Sequence, residues 1–376
     1  MTEIIEDLEG ADRLAADWDR LTVQCSRPYC AYAWLSSWWR HVAPKDACLR
    51  VVVVTEGSAV VGIAPWYQTR DRLGVRMLRP LGWPTCSRVE PLAVPGRELE
   101  VASGVAAALA AAPDAPDALA FEGVERSSKW PGDLARAWPG GRAATLTRYE
   151  QPFLSLTLAD HAGYASWFGA KSHHFRSKLG YQRRRFLREG GRFRLATTES
   201  LEQDLHAFVQ LHRARWEARG GSAYLNQQVE RMIADAGPSL LLSGRLRLWT
   251  MEIDTEVIAA RLALWAGSQY ACWLGGFDER YAKLSPSMLG FLAVAEDAFA
   301  CGADRIDLGA GSTDWKRRFA DTEGTLAWRL IVPRGHRHAA TRLTLAPGQW
   351  RRAMATRVPD EMRTSVVALE RRIRSR

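Results

Sequence analysis

The chain lacks the spacings by which metal sites and covalent nucleophiles usually show themselves. Its six cysteines (Cys25, Cys30, Cys48, Cys86, Cys272 and Cys301) include no C-x-x-C pair, and its eight histidines include no H-E-x-x-H. A zinc site and a disulfide framework are therefore unsupported; reduced, mostly buried thiols and no metal are the expectation. No G-x-S-x-G elbow is present, so an acyl-enzyme serine is not indicated. Nor is there a G-x-x-x-x-G-K-[ST] phosphate loop, or an apolar run near the ~18 residues that suggest a membrane span. The opening MTEIIEDLEGADR is acidic and carries no n-region followed by an apolar stretch, which makes the cytoplasm the expected compartment.

What is present suits a globular protein with a substantial core. The chain has 376 residues, 47% hydrophobic and 25% charged, long enough for two domains. Its net charge of +9 is concentrated in two places. Residues 171–194 hold nine Lys/Arg against one Glu, and residues 334–376 hold eleven Arg against three acids. Together these blocks exceed the net charge of the whole, so the remainder is acidic. That distribution points to an anionic partner at the basic blocks.

Periodicity places helices around Leu8–Leu21, over AYAWLSSWWRHV (Ala31–Val42), over Glu100–Ala111, over Ser172–Arg188 ending at Gly190-Gly191, and over Leu201–Ala218. Strand pairs read from LRVVVV…VVGIAPW and again from LRLWTM…VIAARLALW, each around an acidic turn, with a further strand over Leu119–Val124. The second half thus repeats the order of the first, as expected of two similar tandem α/β domains. The segment from Pro139 to Pro152 reads as the junction. Ser285-Pro286 reads as an N-cap with proline at the first helical position, starting a helix that stops at Gly302. With strands before it and at Arg305–Leu308, that helix makes a βαβ unit whose ligand crevice lies at the strand ends. The last strand is Thr325–Val332.

The stretch IDLGAGSTDWKRRF (Ile306–Phe319) begins like a dinucleotide loop, but Asp314 holds the position of the third glycine, where a pyrophosphate would be repelled. The helix start at Ser285-Pro286-Ser287 is the better anion site, through its free N–H groups and dipole. In the block Lys171–Arg194, Phe175, Leu179, Phe186 and Leu187 form a narrow apolar stripe beside Arg176, Arg183, Arg184 and Arg185. Clustered arginines of this kind suit phosphate, whether of a coenzyme or of RNA. The final PDEMRTSVVALERRIRSR sets Met362, Val366, Leu369 and Ile373 on one face of an amphipathic helix, read as packing on the body of the protein.

Taken in order, AYAWLSSWWRHV, VVGIAPWYQTR, MLRPLGW, SKLGYQRRRFLREGG, LHRARWEARGG and YACWLGGFDERYAKLSPSMLGFLAVAEDAFACGADRIDLGAGSTDWKRRFAD resemble the CelD-like (cellulose-biosynthesis-type) acyltransferases of the GNAT superfamily. Ser287 stands where the family's SPG element has glycine, and Trp315 where it has tyrosine or phenylalanine. The resemblance implies a mixed α/β fold of two tandem GNAT-like domains, as in Fem-type aminoacyltransferases: residues 1–152, then 153–335 as the catalytic unit, then a basic helical extension over 336–376. It implies transfer of an acyl group from acyl-CoA to an amine or hydroxyl of a small-molecule or saccharide acceptor. The donor would lie between two splayed parallel strands with its phosphates at the helix start. Lys316 would stabilise the oxyanion or the donor phosphate; Asp307 would orient or deprotonate the amine, or hold Lys316. Arg183, Arg184, Ser285, Pro286 and Ser287 would bind the donor, and Trp216, Trp273 and Trp315 the acceptor. The pyrophosphate-binding glycine motif of simple GNAT proteins is not recognisable. Two rival readings therefore stand beside acyl-CoA: aminoacyl-tRNA as donor, and a non-catalytic ligand- or RNA-binding role.

Overall fold

The computed structural model describes residues 1–334 apart from 142, 218 and 219, together with 338, 339 and 341. The extension expected over 336–376 lies almost wholly outside the described residues. Two passes through the same order of elements make up the rest. The first comprises β1 (Thr2–Ile5), α1 (Leu8–Asp12), α2 (Ala15–Gln24), α3 (Tyr32–His41), β2 (Cys48–Glu56), β3 (Ala59–Arg70), β4 (Arg76–Pro80) and the short β5 (Leu92–Ala93). It continues through α4 (Glu98–Ala111), β6 (Ala118–Glu125), α5 (Trp130–Ala137) and β7 (Ala144–Thr157). Two helices, α6 (Tyr164–Ala170) and α7 (His173–Arg188), lead to the second pass. That pass is β8 (Arg192–Leu195), α8 (Leu201–Glu217), α9 (Gln227–Leu242), β9 (Leu246–Ile253), β10 (Glu256–Ala266), β11 (Gln269–Phe277), α10 (Pro286–Ala300), β12 (Arg305–Ala310), α11 (Asp314–Phe319) and β13 (Thr322–Val332).

Among the described residues all thirteen strands join one sheet, in the order β1-β2-β3-β4-β6-β13-β7-β12-β11-β10-β9-β8, with β5 paired to β3 off that path. The order is a palindrome of the two passes with one exchange at the centre. β13, from the second pass, sits between β6 and β7; β7, from the first, sits between β13 and β12. Pairing is antiparallel except where α4 and α10 carry the chain across, from β4 to β6 and from β11 to β12. The boundary expected after Pro152 falls inside β7, a continuous strand through the stretch read as a junction.

Period-two alternation explains how one sheet holds separate cores. Val51 and Val53 face a core built on α2, α3, α8 and α9, whereas Val52 and Val54 face α4 and α5. In β10, Leu262 and Leu264 face the first of these cores, and Ala259 and Ala263 face α10, α7 and α6. The layer of α2, α3, α8 and α9 therefore spans both passes. Ser37 of α3 donates to Asp235 of α9 at 2.7 Å, and Arg40 pairs with the same carboxylate. Helix α10, PSMLGFLAVAEDAFA, is apolar nearly all round because it is covered on both sides, by the sheet and by α7 and α6. Asp297, its buried acid, is held by Arg247, by Tyr270 Oη at 2.7 Å and by Trp249 Nε1 at 3.2 Å.

Local chemistry sets the element ends. Asp254 and Thr255 both have positive φ, the two-residue turn that matches strand twist in the β9–β10 hairpin. Ser172 caps α7 by accepting from Phe175 N, and left-handed Gly190 ends it as expected. Within the expected apolar stripe of α7, Leu179 and Phe186 are buried, but Leu187 is exposed. The six cysteines are free thiols; Cys30, Cys86 and Cys272 are buried and Cys48 is exposed. No helix among the described residues is long and apolar enough to cross a membrane.

Helix α8 lies directly on β11 at a glycine. A Cβ at Gly276 would stand 2.4 Å from His212 N and 2.6 Å from Leu211 C, both backbone atoms that cannot turn aside. Gly276→Ala is expected to destabilise the fold by about 2 kcal/mol, read as a lower urea midpoint at unchanged slope.

Candidate active site

The site begins where a ladder stops. β11 and β12 pair in parallel at Gln269↔Arg305, Tyr270↔Ile306 and Ala271↔Asp307, and no further. Beyond that point β11 bulges at Trp273, since Leu262 opposes Leu274 while Ala263 opposes Cys272. β12 meanwhile keeps its pairing with β7 across an irregularity, from Asp307↔Ser155 to Ala310↔Phe153. Gly309 and Gly311 have φ of 78° and 84°, the left-handed backbone that makes glycine the natural residue there. The two strands thus part at the C-terminal end of the βαβ unit.

Helix α10 points its first turn at this gap. Ser285 does not cap it through its side chain, contrary to expectation. The residue is itself left-handed (φ 56°), and its carbonyl accepts from Met288 N and Leu289 N at 2.9 and 3.1 Å. Pro286 is at the first helical position as expected. No acidic residue lies in this turn, and Arg261 of β10 reaches it, donating to Ser287 O at 3.3 Å and Ser287 Oγ at 3.2 Å. The corresponding helix of the first pass, α4, carries Glu98 and Glu100 in its first turn. Of the two crossover helices, only α10 presents a start suited to an anion.

Helix α11 closes the far side. Trp315 packs edge-on against Phe291 of α10 (6.0 Å between centroids), and Arg261 lies over its ring at 5.1 Å. Lys316 Nζ donates to two carbonyls at the end of β12, Gly309 O at 3.2 Å and Ala310 O at 2.7 Å. Burial lowers its pKa from the ordinary lysine value to about 8, with Arg88 and Arg261 pushing the same way. A half-buried amine near neutrality, bonded only to carbonyl oxygens, can serve as a fixed cation or give up its proton. The matching helix of the first pass, α5, instead buries Trp130, Leu134 and Ala135 in a core and offers no lysine there.

Ser285, Pro286, Ser287, Trp315 and Lys316 therefore converge, and the other expected residues do not. Arg183 pairs with Glu296 at 3.4 Å, ten residues into α10 and hence about 15 Å from its start. Arg184, the next residue of α7, is exposed. Trp216 is on α8, with its ring 6.1 Å from that of His212, across the sheet from α10. Trp273 faces the same way, 5.0 Å from Trp34 and 6.4 Å from Phe208, its Nε1 bonded to Thr85 O at 3.1 Å. Asp307 does not hold Lys316. It is 1% exposed, pairs with Arg88 and accepts Gly309 N at 2.7 Å, so the carboxylate is already committed and poorly placed to take a proton. Sequence reasoning missed Arg261 altogether. Its signal was a single cation inside the apolar strand VIAARLALW, which a buried strand keeps only with a partner.

A family model described as an acetyltransferase (GNAT) domain matches residues 173–317, the stretch that supplies α7, β8–β12, α10 and most of α11. Among proteins of curated function, none matches the chain in sequence. Solved structures share its fold over nearly their whole length. FemX aligns at a TM-score of 0.65 and 11% identity, covering 92% of this chain and 99% of that one. L-PGS from Bacillus licheniformis aligns at 0.52 and 10%, covering 90% and 95%. A conserved protein of unknown function from Bacteroides thetaiotaomicron aligns at 0.55 and 11%, covering 89% and 100%. At such identities the likeness is one of fold, a mixed α/β GNAT-like architecture over about nine tenths of the chain. The match over 173–317 coincides with the cleft between β11 and β12, and on that ground the chain carries a GNAT acetyltransferase domain and is an acyltransferase.

Proposed function

We propose that the protein transfers an acyl group from acyl-CoA to an amine or hydroxyl of a small-molecule or saccharide acceptor, within the CelD-like branch that its motifs resemble. One observation carries the reading: a parted parallel strand pair with an acid-free helix start, Arg261 and Lys316 all at its mouth. The donor's thioester lies between β11 and β12, and its pyrophosphate meets the first turn of α10 beside Arg261 and Ser287. The acceptor attacks the thioester carbonyl, and the resulting oxyanion is met by the Lys316 ammonium. Collapse breaks the C–S bond to expel the coenzyme A thiolate, which takes up the proton given up by the acceptor and leaves as the thiol. Catalysis is thus electrostatic, by a cation already held in place through Gly309 O and Ala310 O. Trp315 walls the cleft next to that cation.

Transfer from aminoacyl-tRNA is the second reading, favoured by the exposed arginines of α7 and by the fold shared with FemX. The two separate in solution. Acyl-CoA at a hundred times its Kd is expected to stabilise the protein by about 2.7 kcal/mol, seen as a raised Tm. Absence of that shift, with tRNA binding that falls steeply as salt rises, would move the assignment to the second reading.

Lys316→Ala is expected to lower kcat by about a hundredfold with Tm little changed; unchanged turnover removes Lys316 from the chemistry. The pH profile tests its charge. Burial favours the neutral amine, so the ammonium is held only below about 8, and the wild-type rate should fall as pH rises through that value. Lys316→Arg, which stays charged, should carry whatever activity it retains to higher pH.

A further inference from the structure

We propose that Tyr29 and Arg88, both outside the family-matched stretch, are positioning residues for acyl transfer: Tyr29 engages the carbonyl that β11 releases on parting from β12, Arg88 holds the Asp307 carboxylate that takes the released Gly309 N–H, and together they hold the cleft open. The inference rests on the reading of that cleft as the acyl-donor site.

The register dictates which groups are released. After Ala271↔Asp307, continuation of a parallel ladder would take Gly309 N–H to Cys272 O. Neither group makes that bond. Gly309 N donates to Asp307 Oδ1 at 2.7 Å, and Cys272 O accepts from Tyr29 Oη at 3.3 Å. Tyr29 belongs to the turn just before α3 and is 6% exposed. An unpaired buried carbonyl would draw the strands back together, and the tyrosine hydroxyl removes that incentive.

Asp307 in turn needs a partner, and Arg88 supplies it from the same side of the sheet. Arg88 is 6% exposed and has φ 65°, in the left-handed region that non-glycine residues seldom occupy. Its guanidinium also lies over the ring of Phe153 at 4.7 Å, and Phe153 is the residue of β7 with which the departing β12 pairs. The loop carrying it is fastened to the bulge of β11, since Thr85 O accepts Trp273 Nε1 at 3.1 Å, and to α3, since Thr85 Oγ1 accepts Trp38 Nε1 at 3.1 Å. Strain of this kind persists only where the surroundings over-determine it. Here those surroundings are the two strands that must stay apart. Thus the first pass, whose own crossover helix starts with acids, wedges open the cleft of the second.

Tyr29→Phe removes one oxygen and leaves the ring in place; Arg88→Lys keeps the charge and loses the planar guanidinium that lies over Phe153. Coenzyme A binding is titrated by calorimetry, and steady-state KM is measured separately for acetyl-CoA and for an amine acceptor. The wild type should bind coenzyme A. Both variants should raise the coenzyme A Kd and the acetyl-CoA KM by about three- to tenfold, with acceptor KM and Tm little changed. Equal coenzyme A affinity in wild type and both variants would overturn the wedge and leave the donor site standing. A loss of activity matched by a loss of folded protein would overturn it also. No coenzyme A binding by the wild type would overturn both readings.

Discussion

A parallel strand pair that forms three residue pairs and then separates leaves backbone groups in a place where water cannot satisfy them, and much of this protein answers that demand. β11 absorbs part of it by bulging at Trp273, and β12 absorbs part by turning at two left-handed glycines. The remaining donor and acceptor go to side chains, Asp307 and Tyr29. Arg88 then balances the buried carboxylate, and the loop that presents Arg88 must adopt an unfavourable backbone to do so. What results is a gap bordered by a helix start, an indole and an amine, with the Lys316 ammonium, the Asp307 carboxylate and the Cys272 carbonyl each held by a partner. On the mechanism proposed above, preorganisation of this sort would let the Lys316 charge act without rearrangement as an oxyanion forms.

The two passes show how one topology takes two uses. Both contain a crossover helix between parallel strands and a short helix before the last strand. In the second these present Pro286, Ser287, Trp315 and Lys316 to the cleft. In the first they present Glu98 and Glu100 at one end and bury Trp130 and Leu134 at the other. The helical layer of α2, α3, α8 and α9 ties the passes together on one face of the sheet, through a continuous apolar core and the Asp235 contacts.

Much of this was legible in the sequence, and the exceptions are physical. The hairpins, the α10 helix and the βαβ order followed from local periodicity and turn residues, because those signals act over a few positions. Lys316 and Trp315 could be placed at the cleft because β12, the glycine turn and α11 are contiguous. Arg183, Arg184, Trp216 and Trp273 could not be placed, since the face a strand or helix turns to its neighbours depends on distant packing. Ser285 illustrates a subtler limit: Ser-Pro predicted the helix start correctly but not the left-handed backbone that replaces side-chain capping. Asp307 was read as a partner of the lysine because both lie in one short segment. Its actual partner, Arg88, is more than two hundred residues away in sequence, beyond any local pattern.

The central exchange of β7 and β13 bears on how the chain comes into being. The first half cannot complete its side of the sheet until Thr322–Val332 has been synthesised, because β6 takes β13, not β7, as its neighbour. During synthesis β6 offers an open edge, and β7, though already made, waits for β13 on one side and β12 on the other. Long-range pairing of this order slows folding and leaves strand edges unprotected meanwhile. Birth on the ribosome is therefore a period of exposure for this protein, ending only when β13 slides into the middle of the sheet.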